Sequence, residues 1–255
     1  MTKLVMNERM YAENIINGEG FDENGLYTAT VLAKYYKFKG YENAEIRDAL
    51  RKIMRKSIPV MFEKYGEKWI KKALVTANSH PLYVIDNITI TRSEVDRINL
   101  IHSSKFKDYR LRRLAFTLLC LAKYYAEKGV KDGWVNMPQK YIFSIASLKG
   151  MAISRQNLML HELYQDGYID FSNKVEDDSI KIAGIMDGES EVVVDNINEA
   201  GLIFEEYNGK RFIRCQRCGC RVPVTNGRAK LCKPCGVVDN REKVRERTRR
   251  KRQKN

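Results

Sequence analysis

Two Cys-x-x-Cys pairs near the end of the chain, separated by thirteen residues, constrain its fold more than any other feature. A glycine, which relieves backbone crowding, directly follows each pair. Thiolate sulfur is the donor that Zn²⁺ prefers, and two pairs at this spacing are typical of a tetrahedral structural site. Too few apolar residues lie between the pairs to form a core, so we expect the metal to supply the folding energy of this segment. The cofactor is expected to be Zn²⁺ and its ligands Cys215, Cys218, Cys232 and Cys235.

Two other cysteines lack this context. We expect Cys220 to be a bystander thiol, and Cys120, within an apolar segment, to belong to a core. A Cys-x-Cys ligand pair formed by Cys218 and Cys220 stays open, as does a metal-free or disulfide-bonded hairpin around the turn Asn226-Gly227. The N-terminal residues do not form a signal peptide, so we expect the protein in the reducing cytoplasm, where metal binding is favoured over disulfides.

The positive charge of the chain is concentrated in this same C-terminal segment. Lys210 to Asn255 holds 17 Lys or Arg against 3 Asp or Glu, a net charge of +14, and the whole chain also carries +14. Residues 1–209 therefore sum to zero. A dense cationic segment beside a metal module indicates nucleic acid as the partner, with DNA favoured over RNA. The residues expected to contact it here are Arg221, Arg228, Lys230, Arg245, Arg249, Arg250, Lys251 and Arg252.

Residues 1–103 are expected to form a helical N-terminal domain. Apolar residues recur at helical spacing in four segments, which predicts helices over about 27–39, 44–56, 63–77 and 91–101. Between the last two, the segments 82–85 and 88–90 flank Asp86-Asn87 and predict a hairpin-like turn.

Residues 104–185 predict a long helix, a short strand, two further helices and two strands. The apolar residues and caps place helices over 110–128, 137–148 and 155–166, and strands over 134–135, 168–171 and 179–182. This order resembles a winged helix-turn-helix domain. The resemblance implies that the third helix, capped by Ser154, lies in the major groove of DNA. The side chains that it implies for reading bases are Ser154, Arg155, Gln156 and Asn157.

The charge of this middle region departs from that resemblance. Its turn before the last strand carries Glu176, Asp177 and Asp178 against a lone Lys174. Phosphate contacts dominate affinity for DNA. A winged helix that serves as a scaffold or as a protein-contact surface therefore remains an alternative.

Residues 186–209 are acidic, with seven Asp or Glu and no Lys or Arg. We expect strands at 191–194 and 202–204 and therefore an acidic β connector. An alternative is a decoy that folds against the basic tail until nucleic acid displaces it. The chain is thus expected to be mainly α (α+β), with a helical N-terminal domain (1–103), a winged helix-turn-helix domain (104–185), this connector (186–209), a zinc ribbon (210–237) and a disordered basic tail (238–255).

The sequence lacks a phosphate-binding glycine-rich loop, a nucleophile elbow and a metalloprotease motif, and we do not expect an enzyme. Its middle and C-terminal parts resemble winged-helix and zinc-ribbon proteins of bacteriophages and mobile elements of Gram-positive bacteria. That resemblance implies a DNA-binding protein acting in replication initiation or transcriptional regulation. The alternatives are an interaction protein that binds a host factor through residues 1–209, and an RNA- or ribosome-associated zinc-ribbon protein. No apolar run is long enough to span a membrane.

Overall fold

The structure is a computed structural model that describes residues 4–18, 21, 24–103, 105–173, 179–224 and 230–252, with side chains up to residue 250. The chain divides into two compact units. Unit 1 comprises Met1–Ile88, Tyr124–Val130 and Asp195–Asn198, and unit 2 comprises Thr89–Lys123, Lys131–Val194 and Glu199–Asn255. The described residues form ten α-helices and seven short strands, which confirms the expectation of a mainly α protein. None of the described helices is both long and apolar enough to cross a membrane.

Unit 1 is a helical unit whose core lies between amphipathic helices. Residues Ile46, Leu50 and Met54, four apart, form the buried face of its third helix, as the apolar spacing predicts. The side chain of Asn24 caps the second helix by accepting the N–H of Tyr27. The helices are α1 (Glu8–Ile16), which the sequence analysis missed, α2 (Gly25–Phe38), α3 (Asn43–Ser57) and α4 (Pro59–Ser79).

The expected hairpin over residues 82–90 is wrong. Strand β1 (Ile88–Thr91) pairs with a strand about a hundred residues later, over 190–194. The backbone before the turn is bonded to the N-terminal segment instead. Tyr83 accepts the N–H of Glu8 at 2.9 Å, and Ile85 donates to the carbonyl of Met6 at 3.0 Å. These bonds satisfy the groups that a hairpin would have used.

Residues 108–182, most of them in unit 2, contain three helices and a small three-stranded antiparallel sheet. The strand order β2-β4-β3 places the last of these three strands in the centre, with Trp134 opposite Lys181 on one side and Asp170 opposite Lys181 on the other. Leu111, Leu114 and Leu118 lie on the fully buried face of the long helix. After the short helix α5 (Arg92–Asn99), the elements are α6 (Asp108–Glu127), β2 (Trp134–Val135), α7 (Gln139–Ile145), α8 (Ile153–Gln165), β3 (Ile169–Phe171) and β4 (Ile180–Ile182).

The connector is only half β. Strand β5 (Ser190–Val194) is present as expected, but residues 202–204 lie in helix α9 (Ala200–Tyr207), after a 3₁₀ turn at Ile197–Glu199. A short apolar run fits a buried helix as well as a strand, and periodicity does not separate the two. Helix α9 lies close to the end of α7, since a Cβ added at Gly201 would be 2.5 Å from the backbone of Ala146.

The C-terminal residues are helical where a disordered tail was expected. After strands β6 (Phe212–Arg214) and β7 (Arg221–Pro223), helix α10 runs from Lys233 to Arg252. Acidic residues stand four before basic ones in this helix, with Asp239–Lys243 at 2.7 Å and an ion pair between Glu246 and Arg250. Pairs at this spacing stabilise a helix, which accounts for order in a segment of such high charge.

Candidate metal centre and the helix that follows it

A β-hairpin positions the first cysteines. In its register Phe212 lies opposite Pro223 and Arg214 opposite Arg221, so Cys215 and Cys220 form the next pair. The N–H of Cys215 donates to the carbonyl of Cys220 at 2.8 Å. The connection between them is a tight knuckle, in which Gly219 has φ 70° and donates to the carbonyl of Cys215 at 2.9 Å. The positive φ is the conformation that the glycine of this motif supplies.

Four thiols meet at this knuckle. The sulfur atoms of Cys215, Cys218, Cys220 and Cys232 all lie within 4.8 Å of one another and can hold a metal ion. Sγ of Cys218 is 3.4 Å from Sγ of Cys220 and 3.7 Å from Sγ of Cys232. Sulfurs placed tetrahedrally at the Zn–S distance of about 2.3 Å would be about 3.8 Å apart. The donor type and spacing therefore fit zinc.

Cys220 is a member of this cluster, although the sequence analysis expected it to be a bystander. The register of the hairpin explains this. Strand β6 ends just before Cys215 and β7 begins just after Cys220, so the two cysteines lie opposite each other at the turn end of the hairpin. The expected fourth ligand, Cys235, lies in the first turn of α10. Its thiol interacts with those of Cys232 and Cys218, which raise its pKa to about 12.

The two Cys-x-x-Cys-Gly segments are therefore not equivalent. The second is helical: Gly236 lies within α10 without a positive φ, and its N–H donates to the carbonyl of Cys232 at 2.8 Å. The sequence analysis favoured Cys235 over Cys220 because a glycine follows Cys235. A glycine that relieves backbone crowding after the second cysteine is present in the first pair alone, at Gly219.

Backbone donors surround the most buried thiol of the cluster. The main-chain N–H of Cys232 lies 3.3 Å from Sγ of Cys215, and this contact lowers the pKa of the Cys215 thiol to about 6. Burial, and then the neighbouring thiol of Cys218, raise the pKa of Cys220. Metal ligands of this type bind as thiolates, so the site favours the ligand form at Cys215 even without an ion.

Arg221 holds the hairpin against the connector and is not exposed to a nucleic acid. Its side chain is 6% exposed, Nη1 lies 3.1 Å from Glu199 and Nε lies 2.6 Å from Glu206. Its main-chain N–H also donates to Glu199 at 2.9 Å. The expectation that Arg221 contacts DNA is corrected by this burial. The acidity of the connector has a structural role here, since two of its glutamates pair with the buried Arg221.

Helix α10 presents its cations to solvent. Arg245, Arg249 and Arg250 are exposed, as is Lys230 before the helix. Lys251 and Arg252 belong to the helix, but their side chains lie outside the described part of the chain, and so does Arg228. The first turns are tied to the knuckle, because Arg217 donates to both carboxylate oxygens of Glu242 at 2.9 Å each. Since Glu242 follows Cys235 by seven residues, both lie on one face of the helix.

Helix α8 exposes only part of the predicted base-reading set. The helix begins at Ile153 after Ala152, so Ser154 does not cap it. Gln156 is buried and donates to the carbonyl of Met151 at 2.8 Å, which corrects the expectation that it reads bases. Ser154, Arg155 and Asn157 are exposed.

Two contacts hold the exposed residues of α8 in place. Asn157 accepts a hydrogen bond from Gln139 of α7 at 2.8 Å, and the Arg155 guanidinium lies 5.6 Å from the ring of Phe106. The acidic turn over residues 174–178 lies outside the described residues.

Within the described residues, the thiol cluster is the one group of three or more His, Cys, Asp or Glu close enough to hold a metal. No protein-family model, curated protein or solved structure matches this chain. The residues and geometry described above are therefore the basis for a functional proposal.

Proposed function

We propose that this chain is a DNA-binding protein, not an enzyme, and that it binds the phosphate backbone through α10. A zinc ion held by cysteine thiols would anchor the start of that helix. The observation that carries the proposal is the position of a long cationic helix directly after the thiol cluster. Following the resemblance given above, we place its role in replication initiation or transcriptional regulation of a phage or mobile element.

The charge of α10 supports contact with nucleic acid. Lys233 to Arg252 holds nine Lys or Arg against three Asp or Glu, a net charge of +6. At 1.5 Å per residue the helix is about 30 Å long, a length over which duplex DNA presents about nine base pairs of phosphates. Every residue from Arg241 to Arg250 is exposed, so the helix has no apolar face committed to a core.

The thiol cluster supports zinc as the cofactor. Cys215, Cys218 and Cys232 belong both to the observed cluster and to the ligand set expected from the sequence. The strands of the module are three residues long. Among the described residues of the module, the buried apolar side chain is that of Cys215. A metal ion would therefore supply most of the folding energy of the module.

The arrangement of α6, β2, α7, α8, β3 and β4 supports a winged-helix interpretation of unit 2. A long helix, an edge strand, two helices and a two-stranded wing follow in that order, and the sheet order is β2-β4-β3. We propose that α8 adds sequence preference through Arg155 and Asn157, which are exposed near its start. The backbone affinity would come from α10.

A protein-contact role for α8 is the second candidate. The helix and the adjacent strand expose Ile153, Tyr164 and Phe171 at 73%, 43% and 42%, and exposed apolar side chains of this size favour a protein partner. A randomised-duplex selection with the wild type and Arg155→Ala separates the two roles. A consensus that changes at one position supports base reading, whereas no consensus from the wild type favours the protein contact.

The test of DNA binding uses the zinc-loaded full chain and measures affinity for duplexes over a range of salt concentrations. The triple variant replaces by Gln the cations Arg245, Arg249 and Arg250. The matched control makes the same charge change on α3, at the exposed Arg47, Lys52 and Lys56. Each lost phosphate contact lowers the log–log salt slope by about 0.9, so the first variant should lower it by up to about 2.7 and weaken all sequences equally. An equal effect of both variants, or none, would refute the proposal. Competition with RNA duplexes and loops distinguishes the RNA-binding alternative.

A further inference from the structure

We propose that the metal centre has five thiols for four positions, and that Cys220 and Cys235 are alternative fourth ligands. The inference rests on the zinc site of the proposed function and concerns which residues complete it. Cys215, Cys218 and Cys232 would be ligands in both arrangements. Among the described residues, all members of the thiol cluster belong to the C-terminal segment.

Both candidate thiols belong to elements that meet at the shared three. Sγ of Cys220 lies 3.4 Å from Sγ of Cys218, within the cluster of four. Cys235 lies outside that cluster, three residues after Cys232 in the first turn of α10, where the N–H of Gly236 donates to the carbonyl of Cys232 at 2.8 Å. A four-coordinate ion cannot bind all five thiols. One thiol is therefore left over, and Cys220 and Cys235 compete for the position of the fourth ligand.

Independent elements deliver the two thiols. The hairpin register fixes Cys220, because it places that residue opposite Cys215 next to the pair Arg214–Arg221. The helix fixes Cys235, because three residues along α10 return its side chain to the side of Cys232. Each element fixes its own cysteine without the other, so the two thiols are alternatives for one position.

The choice of ligand changes what the metal joins. With Cys235 bound, the ion links the knuckle directly to α10. With Cys220 bound, the ion lies within the hairpin and the residues before the helix, and α10 keeps the exposed Arg217–Glu242 pair as its side-chain tie. In the exchange the departing thiolate takes up a proton while the incoming thiol releases one, so net charge is unchanged.

The experiment substitutes Co²⁺ for the native ion in the full chain and counts the thiolate ligands from its visible and thiolate charge-transfer absorption. Cys220→Ser and Cys235→Ser should each bind about one equivalent with a four-thiolate spectrum, as one tetrahedral site requires. The double variant should lose the four-thiolate spectrum and bind on the order of a hundredfold more weakly. Cys218→Ser is the matched single control, because that thiol belongs to both arrangements and has no substitute.

Loss of the four-thiolate spectrum in either single variant would overturn the inference and assign that residue as the fixed fourth ligand. Failure of the wild type to bind Co²⁺ or Zn²⁺ would instead refute the metal centre of the proposed function. Amide hydrogen exchange gives a second readout. The first turns of α10 should exchange faster in Cys235→Ser than in Cys220→Ser, and equal protection would contradict the coupling of the helix to Cys235.

Discussion

Replacing Arg221 with alanine should destabilise the C-terminal module far more than replacing Arg217, which pairs with Glu242. The guanidinium of Arg221 is 6% exposed and lies between Glu199, which is 9% exposed, and Glu206, which is 43% exposed. Removing one partner of a buried ion pair leaves an uncompensated charge, which costs about 3–5 kcal/mol. Glu199 would keep the bond from the main-chain N–H of residue 221, at 2.9 Å, and its ion pair with Arg214, at 3.8 Å, so we expect the lower end, about 3 kcal/mol.

The matched control is Arg217→Ala. This side chain makes a bidentate pair with Glu242, but the two are 43% and 54% exposed, and pairs of this kind contribute about 0.2–1 kcal/mol. The assay is urea unfolding of the zinc-loaded chain, followed by release of zinc to a coloured chelator, which reports on the module alone. With m near 1–3 kcal/mol/M, Arg221→Ala should lower the midpoint by about 1–3 M.

Equal midpoint shifts for the two variants would refute the reasoning, since they would show that burial of the Arg221 pair does not determine its energy. A second variant separates loss of packing from the stranded charge. In the double variant Glu199→Gln with Arg221→Met, the buried charge and its partner are both removed, and the midpoint should recover toward the wild-type value.

Three further predictions concern α8 and α9. Gly201→Ala should lower the free energy of unfolding by about 1–3 kcal/mol in urea titrations, because the added Cβ would lie 2.5 Å from the backbone of Ala146; an unchanged midpoint would contradict this contact. Gln156→Ala should cost about 1–3 kcal/mol by the same assay and leave the consensus of a duplex selection unchanged, because this side chain bonds inside the unit. Lys105 donates to Glu162 and lowers the pKa of that carboxyl from 4.5. The stabilisation of the fold by this pair is therefore complete above pH 4.5 and is lost as the pH falls through the lowered pKa of Glu162. Lys105→Ala should raise the pKa of Glu162 in an NMR titration.

The sequence predicted the elements with long, regular apolar spacing. Helix α6 was placed within two residues at each end, because Leu111, Leu114 and Leu118 lie on one face over about two turns. Helix α5 was recognised from Thr91, whose side chain accepts the N–H of Glu94 as the cap predicts. Periodic burial and capping are local properties, so the sequence alone carries them.

The errors concern contacts between segments distant in sequence. The residues around Leu202 do not indicate a helix in the sequence. Gly201 allows this segment to pack against the backbone of Ala146, and the local sequence does not reveal that contact. Gln156 was expected to be an exposed residue of a recognition helix. Its side chain instead accepts a hydrogen bond from Gln139 of α7 and donates one to the carbonyl of Met151, before α8. These placements depend on tertiary structure, which short-range patterns do not encode.

The candidate site shows the same division. The four-cysteine spacing located the thiol cluster, and Cys215, Cys218 and Cys232 come together as expected. The spacing did not reveal that the second glycine, Gly236, is helical, and the hairpin register that recruits Cys220 was not considered. A ligand motif gives the number of donors, but the secondary structure around each donor decides which of them reach the ion.

In the described part of the chain, the side-chain contact of helix α10 with the knuckle lies near the start of the helix, which makes the helix an arm. Its side-chain tie to the knuckle is at Glu242, while the later pair between Glu246 and Arg250 lies within the helix. Over a length of about 30 Å, a tilt of about 10° at the base moves the far end by about 5 Å, more than the rise of one base pair. A change of a single bond at the thiol cluster would thus be magnified at Arg249 and Arg250, and the position of these cations becomes a function of the geometry at the base of the helix.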